Sequence, residues 1–65
     1  MKEVMLSNDS KVIKSFNNNI LLITENGIEK ILFQKGIGFG KRPGELVEKG
    51  TKVEKVFVIE NQDNQ

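Results

Sequence analysis

Apolar residues between positions 12 and 59 fall into four short runs separated by turn-forming residues, and no segment of ten or more carries helical periodicity. Residues 12–16 (VIKSF) predict a strand. Asn17, Asn18 and Asn19 follow; asparagine tolerates left-handed backbone and hydrogen-bonds locally, so the triplet predicts a tight turn. Residues 20–24 (ILLIT) predict a second strand, apolar on both faces, so both faces need cover. Asn26-Gly27 supplies the two positive φ angles of a type I′ turn and predicts a hairpin into a third strand at residues 28–33 (IEKILF). Residues 45–52 read as a polar loop anchored by Leu46 and Val47, and residues 53–59 (VEKVFVI) predict the fourth strand. The expectation is an all-β fold: four antiparallel strands with one long loop between the third and fourth, spanning residues 11–60. Residues 1–10 read as a mobile N-terminal extension, and residues 61–65, without an apolar residue, as a disordered tail or the start of a linker.

Sixty-five residues make one domain at most. A chain of this length buries only about 60% of its unfolded surface, so its monomer is marginal. The usual remedies are disulfides, a metal or self-association. With no Cys and no His, the first is excluded and no metal or other cofactor is expected. Self-association remains, and another subunit would also cover the other face of residues 20–24. The amino terminus is too polar for a signal peptide and no apolar run is long enough for a bilayer, so a cytoplasmic protein without a membrane partner is expected.

Net charge is +1, so polyanion binding has to come from local clustering. One stretch offers it. Residues 34–44 (QKGIGFGKRPG) hold four of the six glycines, the only proline, and Lys35, Lys41 and Arg42 with no acid among them. Glycine alternating with bulky residues does not build a core; it suits a backbone that turns sharply or lies against a partner. The stretch fails as a Walker loop, because Lys41 is followed by Arg42-Pro43 and no helix follows. Two readings stay open: the glycines merely shape a long turn, or backbone N–H groups and cations hold phosphates while Phe39 stacks on an unpaired base. Phe39 is equally readable as a buried anchor for the loop. The asparagine triplet is a turn first, though its amides are also suited to reading base edges. Catalysis has little support, since there is no His, no Cys and no framed pair of acids; no enzyme is expected.

Three segments together resemble a known family. Lys14-Ser15-Phe16-Asn17-Asn18-Asn19-Ile20, then Lys35-Gly36-Ile37-Gly38-Phe39-Gly40-Lys41, then Val53-Glu54-Lys55-Val56-Phe57 are similar, in order and spacing, to the co-antiterminator RNA-binding domain of BglG/SacY-type transcriptional antiterminators. The resemblance covers roughly residues 11–60. It implies a four-stranded antiparallel sheet that dimerises face to face into a barrel-like β sandwich. It implies that the dimer binds an RNA hairpin across its internal loops and stabilises this antiterminator against an overlapping terminator, so that sugar-utilisation genes are transcribed. It implies C-terminal regulatory domains, controlled by the phosphotransferase system, in the full-length protein. By position, Lys14, Asn17, Asn19, Gln34, Lys35, Gly36, Phe39 and Lys41 fall where family members meet RNA, and Arg42 is expected to join the lysines at phosphates. Two departures stand out: Gln34 occupies a position where the family usually has Gly, and Phe16 is larger than the aliphatic residue usual before the asparagines. The rival reading is a dimerisation or protein-interaction module that binds RNA only through salt-sensitive background attraction.

Overall fold

The computed structural model describes residues 3–60; the expectation for residues 61–65 lies outside the described residues. Seven strands are present: β1 (Val4–Met5), β2 (Ser10–Asn17), β3 (Ile20–Glu25), β4 (Ile28–Phe33), β5 (Leu46–Val47), β6 (Lys52–Val53) and β7 (Lys55–Val58). The predicted four-stranded antiparallel sheet is there as β2-β3-β4-β7, widened by β5 on the far edge of β2, and β1 pairs with β6 as a separate two-stranded ribbon. All pairings are antiparallel. The turn at Asn26-Gly27 has φ of 53° and 83°, so the expected type I′ geometry forms and sets the β3–β4 register from Glu25 opposite Ile28 to Ile20 opposite Phe33.

Strand alternation divides the sheet into two faces. Val12, Leu21, Ile23 and Leu32 are buried on one face, with Val56 packed against them. Leu6, Val47 and Val53 close that core from outside the sheet's central strands. The opposite face carries a row that crosses all four main strands: Lys14, Leu22, Ile31 and Phe57 are register partners. Leu22 and Ile31 are half-buried there and Phe57 is 53% exposed. β2 reaches this arrangement through two irregularities, where Ile13 and Phe16 are left without a register partner on β3. Such bulges add a residue and increase the local twist.

The structure corrects three expectations. The predicted fourth strand at residues 53–59 is broken by a bend at Glu54. Val53 pairs with Val4 and is fully buried, while β7 beyond the bend pairs with β4. Residues 4–6 are not a loose extension. Val4 and Met5 pair with β6, Leu6 is only 5% exposed, and its backbone exchanges hydrogen bonds with Thr51 (3.0 Å) and Gly50 (2.8 Å). The sheet leaves one core edge open, and burying Leu6 there outweighs the entropy of ordering a short terminus. Leu46 was expected as an anchor beside Val47; strand alternation buries Val47 and leaves Leu46 51% exposed.

Candidate nucleic-acid interface

The asparagine turn and the glycine-rich loop form one unit. Asn18 and Asn19 make the two-residue connection between β2 and β3, with Asn17 opposite Ile20. The Asn17 side-chain oxygen accepts from the Asn19 N–H at 2.7 Å, closing an Asx turn. The Asn19 side-chain oxygen accepts from the Gly36 N–H at 3.0 Å, and the Asn19 carbonyl accepts from the Gln34 N–H at 3.0 Å. The Asn18 carbonyl accepts from the Gly38 N–H at 2.8 Å. The loop itself is a chain of turns, with Ile37 donating to Gln34, Phe39 to Gly36 and Lys41 to Gly38. Pro43 and Gly44 (φ 92°) then occupy the central positions of a turn closed by the Glu45 N–H on the Arg42 carbonyl, the Pro-Gly arrangement of a type II turn.

Gly38 is the contact point between the two pieces. A Cβ on this residue would overlap the Asn17 carbonyl oxygen and crowd Ser15 Oγ. The Ser15 hydroxyl lies 3.0 Å from both the Asn17 and the Gly38 carbonyl oxygens, and its single proton serves one or the other. Ser15 is a positioning residue that the sequence reading gave no role. Its signal was a hydroxyl on the core face of a strand, and that face is known only once the bulge in β2 is known.

The expected contact residues are placed as follows. Phe39 stands at the crest of the loop, 75% exposed, so it is not the buried anchor that one reading allowed. Ile37, two residues earlier, packs against the core and holds the loop down instead. Asn17 and Asn19 are exposed, and with their oxygens used internally their amide nitrogens have no partner among the described residues. Those N–H₂ groups point to donor roles. Lys35 and Arg42 are exposed and Lys41 is half-buried; none forms an ion pair among the described residues. Lys14 lies on the open sheet face with its ammonium 5.6 Å from the Phe16 ring centroid, within cation–π range. Among the described residues, no hydrogen bond ties the Lys14 or Arg42 side chain to the loop. Gln34 contributes backbone contacts to the turn, while its side-chain oxygen is buried without a hydrogen-bond partner among the described residues. A cleft of about 400 Å³ opens beside Phe39 and Lys41, walled on its other side by Leu46, Val47, Glu48 and Thr51.

The opposite end of β3 has different chemistry. Glu25 is buried, accepts from Lys30 Nζ at 2.6 Å and from the Asn8 amide at 2.7 Å, and is held below the usual carboxylate range by these partners against the cost of burial. Among the described residues there is no group of three acids, His or Cys placed to hold a metal ion, and no helix long and apolar enough to cross a membrane.

Comparison with known proteins agrees with this geometry. The family model of the CAT RNA binding domain matches residues 10–65. Protein GlcT of Staphylococcus epidermidis RP62A is 39% identical over 54 residues, covering 83% of this chain and 19% of that protein. Protein GlcT of Staphylococcus saprophyticus is 33% identical over 58 residues (89% and 21%), and that of Staphylococcus aureus JH9 is 40% identical over 52 residues (78% and 18%). The chain thus spans about a fifth of the length of these relatives. No solved structure matches it. With an all-β antiparallel fold, an asparagine turn locked to a glycine-rich loop, and a family match over most of its length, the chain belongs to the co-antiterminator (CAT) RNA-binding domain family of BglG/SacY-type transcriptional antiterminators.

Proposed function

We propose that this chain is the RNA-binding module of a cytoplasmic transcriptional antiterminator, and that its homodimer binds and stabilises an antiterminator hairpin in the leader of sugar-utilisation genes. The observation that carries the reading is the exposed Phe39 on a loop whose backbone is locked to Asn18 and Asn19. An aromatic ring exposed to this degree has no packing role, and a rigid mount lowers the entropy lost when it engages a partner. A-form duplex hides its base edges, so proteins read loops, bulges and splayed bases. Phe39 stacks on a base displaced from an internal loop. The Asn17 and Asn19 amides donate to base or sugar acceptors. Lys14, Lys35, Lys41 and Arg42 neutralise phosphates, and the backbone of Gln34 and Gly36 lines the approach.

The dimer is supported by the apolar row Leu22, Ile31 and Phe57 on the open face, flanked by Ile20 and Phe33. Packing two such faces gives a barrel-like sandwich and supplies the burial that one 65-residue monomer lacks. Two-fold symmetry then presents the loop twice, suiting a hairpin with two internal loops. The greater length of the relatives is consistent with regulatory domains following this module in a full-length protein.

The test is RNA affinity at two salt concentrations, for a hairpin with two asymmetric internal loops, the same hairpin with the loops repaired, and a single strand of equal length. A preference of about 100-fold for the looped hairpin, about 2.7 kcal/mol, is expected. Equal, weak binding to all three that collapses with salt would reduce the chain to an interaction module with background phosphate attraction.

A further inference from the structure

The cleft beside Phe39 is built from two distant parts of the chain. One wall is the loop, with Gly36, Phe39 and Lys41. The other is the segment from Leu46 to Thr51, which contributes Glu48 and Thr51. This second wall is held in place with care. Thr51 donates its backbone N–H (3.1 Å) and its hydroxyl (2.7 Å) to the Glu48 carbonyl. The Lys49 N–H donates to the Asp9 carboxylate at 2.7 Å, and Leu6 brackets the turn through Gly50 and Thr51. Leu6 and Asp9 precede the span of the family match, so this buttress belongs to the chain's own amino-terminal segment.

The volume of about 400 Å³ is within the range of small-molecule sites, roughly 300–1,000 Å³. Its walls combine an aromatic ring and aliphatic side chains with one cation and one carboxylate. The Glu48 carboxylate makes no hydrogen bond or ion pair among the described residues. A carboxylate repels phosphate, so its presence argues that a base, rather than the backbone, enters here. A carboxylate is acceptor-only and takes two parallel donors. Among the four RNA bases, only guanine presents two adjacent donors, N1–H and N2–H₂, on its Watson–Crick edge. Adenine and cytosine place a ring acceptor beside their amino group, and uracil flanks its single N–H with two carbonyls.

We propose that this cleft is a specificity subsite for one displaced guanine, with Glu48 accepting from its Watson–Crick edge, Phe39 covering its face and Lys41 holding its phosphate. The assignment rests on the RNA-binding reading above and adds Glu48 as a base-reading residue on a segment that reading leaves unused. The test is selection from a library of RNA hairpins whose two internal loops are randomised, using the full chain and its Glu48→Gln and Glu48→Ala variants, each first checked for an unchanged thermal midpoint. The wild type should enrich guanine at one unpaired position, and substituting adenine there should cost about tenfold in affinity, which is about 1.4 kcal/mol. Both variants should lose that preference to within about threefold while still preferring looped over repaired hairpins. Looped hairpins enriched without guanine, or guanine enriched equally by the variants, overturns the subsite and leaves the RNA reading standing. No enrichment of looped over fully paired hairpins overturns both.

Discussion

The two ends of β3 both carry asparagine turns, and they are built on different principles. At Asn26-Gly27 the turn is local: two positive φ angles close the hairpin, and its side chains make no long-range hydrogen bond among the described residues. Beside it, Glu25 is buried and paired with Lys30 and Asn8. At Asn17, Asn18 and Asn19 no positive φ is needed. There the turn is a docking platform whose side chains and carbonyls fasten a loop about 17 residues away in sequence. One end spends its polar groups on stabilising itself. The other spends its acceptors on holding the loop and leaves its donors, cations and one aromatic ring facing outward. Residue type alone does not distinguish a structural turn from an interface; what the turn's oxygens are bonded to does.

The contrast can be broken most severely at Gly38. Gly38→Ala forces a methyl group into the Asn17 carbonyl, a backbone atom that cannot swing aside. It should undock the loop, lower stability by about 1–3 kcal/mol and abolish selective RNA binding, as read by denaturant midpoint and filter binding. Wild-type affinity in a stable Gly38→Ala protein would show that docking is dispensable. Phe39→Ala comes next. RNA affinity should fall by roughly the 1–3 kcal/mol of one stacked base, with no loss of thermal midpoint, because the ring is exposed. A drop in the midpoint would instead make Phe39 a packing residue.

Smaller effects separate the two turns directly. Asn19→Ala removes the acceptor for the Gly36 N–H, worth about 0.5–1.5 kcal/mol for a typical hydrogen bond. Stability should fall by about that amount, and RNA affinity should fall with it, because the loop is held less firmly. Asn26→Ala should lower stability alone, since a residue other than Gly, Asn or Asp at φ 53° costs about 1–2 kcal/mol at a site remote from the loop. Asn26→Gly should restore the stability. Equal effects of Asn19→Ala and Asn26→Ala on RNA affinity would erase the distinction. Acid provides the mildest probe. Glu25 is more acidic folded than unfolded, so its contribution is complete above the unfolded value of about 4.3 and is lost as pH falls through the lowered folded value. Stability should decline in that acid range, and Glu25→Gln should flatten the decline. An unchanged slope in Glu25→Gln would mean that other carboxylates govern it.

Local patterning determined much of this protein. Alternating apolar runs set the strand positions, Asn26-Gly27 set the central register, and the concentration of glycine and cations in residues 34–44 marked the candidate interface. These features act over a few residues, where backbone preference and side-chain period dominate. The tertiary structure decided what depends on neighbours distant in sequence. It turned Leu6 from a terminal residue into core, split the last predicted strand at Glu54, and placed Phe39 outward while Ile37 packed inward. It also brought Glu48 and Thr51 across from the loop to complete a cleft. No local signal specifies those outcomes, because each is settled by which surfaces remain uncovered once the sheet has formed.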